Sequence, residues 1–248
     1  MCHQKIDVRL PSPGQLGSDF TPVPMPLLRD ACQNLNECSP KLSSYAACVL
    51  IVDLVIRCFE HIGLSNSRGF WDSHYALLKT IGDRSSTLKS QLGTSSVRED
   101  PVAFTVHMNI CAIEILFREA AISQVQRQGL PGALAAENQR LAVAAAYKIS
   151  SAVRLTWPDE ETGSAVFLLQ STFINWPIAT AMRPLCRELA TLNPRHAASS
   201  GVAHSLRLLL SALDRSEGPH GFWHTSTASI AAKLREWEQK IEFDAIGS

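Results

Sequence analysis

The chain has 248 residues, 46% of them hydrophobic and 19% charged, enough to bury the core of one large domain or two small ones and too apolar for a disordered chain. Lys plus Arg and Asp plus Glu are 23 each, a formal net charge of zero. This balance argues against a dominant surface for nucleic acid or for anionic membranes.

The opening "MCHQKIDVRLPSPG" lacks an apolar core and does not read as a secretory signal. "LPSPGQLGSDFTPVPMP" is rich in proline, which predicts an extended segment over residues 1–40, with room for one short helix in "PLLRDACQNL". From there helical periodicity dominates. "SPKLSSYAACVLIVDLVIRCFEHIGL" predicts a helix from about Leu42 to Ile62, apolar on most faces and therefore central. "FWDSHYALLKTIGDRSSTLKSQL" (70–92) follows, with Trp71, Leu78, Ile81, Leu88 and Leu92 on a stripe and Gly93 placed to stop it.

"EDPVAFTVHMNICAIEILFREAAISQVQRQG" gives the strongest helix signal. Asp100 is placed as N-cap and Pro101 as the first helical residue; Phe104, Met108, Cys111, Ile115 and Ile122 line one face, and Gly129 and Pro131 end it. "GALAAENQRLAVAAAYKISSAVRLTW" comes next, its alanines letting neighbours approach closely. In "TGSAVFLLQSTFINWPIATAMRPLCRELATLNP", Pro177 and Pro184 predict a kink or break. "HAASSGVAHSLRLLLSALDRSEG" and "GFWHTSTASIAAKLREWEQKIEF" complete an all-α fold of seven or eight helices, packed as an irregular bundle over 41–248. The two most apolar runs, "AACVLIVDLVI" and "SAVFLLQSTFINWPIATAM", are both broken by polar residues or proline, so the chain reads as soluble and intracellular.

Residues that carry chemistry are present, but not in catalytic arrangements. No dinucleotide or P-loop glycine motif, no nucleophile elbow and no zinc-protease signature occurs. Asp72 and His74 are two apart on a helix and point about 200° away from each other, so they do not face one metal ion. His74, Tyr75 and His107 read as residues at the edge of a core. The seven cysteines, at 2, 32, 38, 48, 58, 111 and 186, include no C-x-x-C pair. Cys48 and Cys58 lie about 15 Å apart along one helix, so buried free thiols are expected rather than a zinc site. Asp159, Glu160 and Glu161 read as a solvated acidic turn. Arg118, Arg127, Arg140, Lys148 and Arg154 are spread over two helices without interleaved aromatics, unlike a nucleic-acid platform. The last helix reads as packed on the body, with a partner helix as the alternative. No catalytic, cofactor-binding or metal-ligating residue is assigned.

The order of these segments resembles a known family. "IDVRLPSP" is similar to the "D-V-x-L-P" element of the fungal-specific transcription factor regulatory domain, the middle homology region of binuclear zinc cluster regulators. "FWDSHYALLKTIGDRSSTLKSQL", then a "DP" that opens the helix with "VHMNICAIEILFREAAI", then "LAVAAAYKI", follow in the family's order. "SLRLLLSALDRSEGPHGFW" and "IAAKLREW" resemble its closing helices, so the likeness runs from about Ile6 to Trp237. The six closely spaced cysteines and basic stretch of the family's DNA-binding module are not among these residues, nor are the helices that precede the D-V-x-L-P element. The resemblance therefore implies the C-terminal part of such a regulator, a domain incomplete on its N-terminal side and not an enzyme. It implies nuclear location, modulation of activation through protein partners as a homo- or heterodimer, and response to a small effector. It gives no support for direct DNA contact and no role to a membrane. An incomplete core is expected to expose an apolar patch. A stand-alone module that dimerises with a full-length regulator is the second reading. A helical enzyme is the third, with His107, Tyr147 and Asp53 as its residues.

Overall fold

The structure is a computed structural model that describes residues 9–10, 25, 27–33, 42–63, 69–92, 100–156, 165–193, 197–217 and 221–246. Among these residues there are eight α-helices: α1 Leu28–Gln33, α2 Ser44–Gly63, α3 Phe70–Leu92, α4 Pro101–Gln128, α5 Gly132–Thr156, α6 Ala165–Thr191, α7 Ala197–Glu217 and α8 Phe222–Ile246. The single extended pairing among them is an isolated bridge between Arg9 and Leu27, so the all-α expectation holds. The helices fall into two compact units, 1–110 and 111–248, with the division inside α4.

Capping explains where the helices start and stop. The Ser43 hydroxyl accepts from the Ala46 amide at 3.1 Å and opens α2. Asp100 Oδ1 accepts from the Ala103 amide at 2.9 Å, and Pro101 takes the first helical position of α4. At the other end of α4, Gly129 has φ +61°. There the Leu130 amide reaches the Val125 carbonyl at 3.0 Å and the Gly129 amide the Gln126 carbonyl at 3.4 Å, a Schellman closure that only glycine enters without strain. The Ser44 hydroxyl donates to the second Asp100 oxygen, so one carboxylate caps α4 and ties it to the start of α2. Asp100→Ala should therefore cost about 1–2 kcal/mol, read as a lower urea midpoint with helical content retained.

In the first unit α2 packs against α1 and α3. Its buried residues are Ala46, Ala47, Leu50, Ile51, Leu54, Cys58 and His61. The α3 ridge that is buried runs through Phe70, His74, Ile81, Arg84 and Leu88. Ile81 and Leu88 were expected there, but Trp71, Leu78 and Leu92 are only half-buried, because the ridge is turned toward Phe70 and His74. Tyr75, expected at the core edge, is exposed.

In the second unit α6 packs against α5, α7 and α8, while α7 also meets α5 and α8. Its core is built from Ile174, Ile178, Met182 and Leu185 of α6, Ile149 of α5, and Leu206 and Leu209 of α7. Ala142, Ala145 and Ala146 are fully buried, as the close approach read from the alanine run requires. Helix α6 runs through Pro177 and Pro184 without a break. Gln139 of α5 donates to the Pro184 carbonyl at 3.0 Å. Packing of α6 on three helices outweighs the roughly 3 kcal/mol that each internal proline costs.

By length and composition α4 is apolar enough to cross a membrane, with a mean hydropathy of 1.2 in its most apolar window, and 61% of that window is buried within the protein. The expected face of Phe104, Met108, Cys111, Ile115 and Ile122 is buried, and so are Val106, Ile110, Ile113 and Phe117 around the rest of the helix. A long, mostly apolar helix is the pattern of a core helix as well as of a span.

Candidate interaction surface

Helix α2, expected to be central, does pack against both α1 and α3 in the first unit, but it is not enclosed on most faces. One whole side carries large apolar residues that stay exposed: Tyr45 66%, Val49 37%, Val52 48%, Ile56 53% and Phe59 51%. They follow one another by four, three, four and three residues. This keeps them on a single line along about 21 Å of helix. Single exposed apolar residues are ordinary; a continuous line of five exposed ones is a candidate packing surface. The apolar patch expected from the sequence is thus present, and it lies on α2.

Behind this face, three aromatic rings join the end of α2 to the start of α3. His61 Nε2 lies 3.2 Å from His74 Nδ1, and Ser73 Oγ lies 3.0 Å from His61 Nδ1. The Phe70 ring stacks on His61 at 4.6 Å and on His74 at 5.3 Å. Both imidazoles are buried. His74 was read as a core-edge residue and is one. Its partner His61 was missed. The signal available was a histidine in the last turn of one helix and another in the first turns of the next, which a short connection brings level.

Burial holds the His61 imidazole below its ordinary value of 6.5. The unfolded chain therefore takes up this proton first as pH falls through 6.5. The contribution is fully present above 6.5 and is lost below it. Urea midpoints measured at about pH 7.5 and about pH 5.5 should show lower stability at the acid value, with part of that slope gone in His61→Gln.

The remaining candidates have structural explanations. Asp53 Oδ2 accepts from buried Arg84 at 2.9 Å and pairs with Arg57 at 3.1 Å. Tyr147 belongs to the other unit, and burial together with the Glu188 charge pushes its phenol up. His107 is half-buried on α4. Asp72 is exposed, one residue from Ser73 and pointing away from buried His74. Among the described residues no group of three His, Cys, Asp or Glu side chains could hold a metal ion. Cys48, Cys58, Cys111 and Cys186 are in no disulfide; burial pushes Cys58 up to about 12 and also raises Cys48 and Cys186. Thiols so raised are poor nucleophiles. Cys2 and Cys38, the side chain of Cys32, the acidic turn at 159–161, Gly93 and all of the D-V-x-L-P element except Arg9 and Leu10 lie outside the described residues.

Three of the basic residues singled out above are held by side chains, Lys148 and Arg118 between α4 and α5 and Arg140 within α5. Lys148 meets Glu114 at 3.4 Å, Arg118 donates to Asn138 at 3.3 Å and Arg140 pairs with Glu137 at 2.7 Å. The last helix α8 does pack on α6 and α7, with Arg207 and Glu238 joined at 2.6 Å.

Comparison with known proteins gives two relatives. The "Depudecin biosynthesis cluster-specific transcription activator DEP6" of Alternaria brassicicola is 42% identical over 244 residues, 98% of this chain. The protein of the same name from Fusarium langsethiae is 42% identical over 242 residues, 97% of this chain. The chain is similar to fungal transcription activators. It spans 37% and 39% of the length of these two relatives. Both are named as activators, not as enzymes. No family model matches the chain, and no solved structure matches it.

Proposed function

We propose that this chain is a non-enzymatic regulatory region of a fungal transcription activator, in the manner of the middle homology region of zinc cluster regulators. It works in the nucleus on a biosynthetic gene cluster. Similarity over nearly the whole chain to two activators so named supports the setting. The segment order read from the sequence supports the regulatory role. Disrupting the gene and sequencing transcripts tests the setting. A fall confined to a contiguous set of biosynthetic genes is expected; unchanged transcripts under conditions that express those genes would overturn it.

The observation that carries the partner-binding part is the exposed α2 stripe. Its occupant is the α2 stripe of a second copy. Spacing by alternate fours and threes is the repeat that two helices share when they pack side by side. Val49 and Ile56, β-branched, occupy one of the two alternating seam positions, and Tyr45, Val52 and Phe59 the other. Asp53 and Glu60 flank the stripe on one side and Cys48 and Val55 on the other, so a parallel pairing sets each acid beside an apolar residue and no like charges meet. Two heptads are short for a seam, which makes the dimer concentration-dependent. Sedimentation of the intact chain should show a monomer–dimer equilibrium that Ile56→Glu abolishes without loss of helicity. A chain that stays monomeric at every concentration would remove the second copy as occupant, while the transcript experiment would still stand for the setting.

A further inference from the structure

The second unit has a cleft between the C-terminal half of α6 and α8, with a volume of about 400 Å³. That is within the range of small-molecule sites, roughly 300–1,000 Å³. One wall is apolar, from Leu189 and Leu192, with the buried thiol of Cys186 beside them. The other wall is a single ridge of α8, where Lys233, Trp237 and Lys240 follow at steps of four and three and so share a face. We propose that this cleft binds a small amphipathic monocarboxylic acid, its carboxylate between Lys233 and Lys240 and its apolar body against Leu189, Leu192 and the indole of Trp237.

Three observations point to that class. First, the only titratable side chains of the described lining besides the thiol are Lys233, Lys240 and Glu236, which leaves one net positive charge for the ligand. A monoanion matches it, whereas a dianion meets Glu236. Second, the Lys233 charge acts on the Cys186 thiol, opposing the effect of burial, so the ammonium lies toward the apolar wall. Long lysine stems allow both ammoniums to converge over Trp237, which stands between them. Third, the Trp237 Nε1–H is buried with no hydrogen-bond partner among the described residues. A buried donor left without an acceptor is costly. The ring loses no hydrogen bond by turning its N–H into the cleft, and a carboxylate there would satisfy it.

The site rests on the regulatory reading for its purpose, as the place where an effector enters, but not for its test. Calorimetric titration of the intact chain with decanoate, below its micelle-forming concentration, should show saturable binding. The double variant Lys233→Met/Lys240→Met should weaken decanoate at least tenfold and leave decanol binding unchanged. Ala190→Trp, an exposed lining position, should fill the cleft and remove both. Circular dichroism checks that each variant keeps its helices. No heat with decanoate would overturn the proposal, and so would decanoate binding that both variants leave intact. Failure here with a cluster-wide fall in transcripts on gene disruption would sink the cleft alone; decanoate binding without that fall would sink the regulatory reading alone.

Discussion

Phe117→Ala should destabilise the protein by about 3–5 kcal/mol, the range for an aromatic side chain removed from a core that cannot collapse around the gap. Phe117 is fully buried and is among the bulkiest of the fully buried residues. Its neighbours one turn away on α4, Ile113, Ala120 and Ala121, are buried as well, so the gap opens inside an apolar surface with little freedom to collapse. Against a total stability of about 5–15 kcal/mol, such a loss should lower the thermal midpoint by about 10 °C. Phe222→Ala is the matched control: the same atoms are removed, but Phe222 is 72% exposed at the first turn of α8. It should cost under about 1 kcal/mol. Thermal melts followed by circular dichroism compare the two. Equal losses would mean that burial in α4 is not what holds the second unit.

The fold was legible where local signals and packing agree. Both ends of α4 were readable, because Asp100, Pro101 and Gly129 act on the backbone within a few residues of themselves. It was illegible where the same signal serves two uses. An apolar residue on α2 reads alike whether it meets its own core or another surface, so Tyr45, Val52 and Ile56 were assigned to a centre that does not contain them. The prolines of α6 were read by their local cost; the three helices packed on α6 offset it, and no window of sequence shows them. On α3 the apolar count favoured Trp71 and Leu78, whereas the ridge that packs includes His74 and Arg84, polar residues that are admitted only because α2 supplies His61 and Asp53 opposite them.

The candidate surfaces divide the same way. An exposed apolar patch was foreseen in kind, from a resemblance that placed neighbouring helices outside these residues, but its place on α2 was not. The cleft between α6 and α8 joins residues some fifty apart in sequence. Lys233, Trp237 and Lys240 show their common ridge only once α8 is known to be helical through that stretch, and Cys186 and Leu189 become their neighbours only through the packing of α6 on α8.

The Arg84–Asp53 pair gives the second large effect, and its interest is in the asymmetry between the partners. Arg84 has 5% of its side chain exposed, while Asp53 keeps 28% and has Arg57 as a further partner. Asp53→Asn leaves the buried guanidinium without the carboxylate it faces and with Arg57 still close by. Removing one member of a buried pair costs about 3–5 kcal/mol; the partial exposure of Asp53 lowers the expectation to about 2–4 kcal/mol. Arg84→Met removes the buried charge itself and keeps much of its apolar length, and Asp53 retains Arg57 and water. It should cost about 1 kcal/mol or less. The double variant should recover most of what Asp53→Asn loses, giving a coupling of at least about 1 kcal/mol in a double-mutant cycle run by urea denaturation. The ordering decides what the pair does. If Asp53→Asn is the costlier, the carboxylate is there to make a buried arginine tolerable and to fix the register of α2 against α3. An Arg84→Met loss as large as that of Asp53→Asn would show instead that the ion pair is a net source of stability, with the guanidinium contributing bonds that methionine cannot replace.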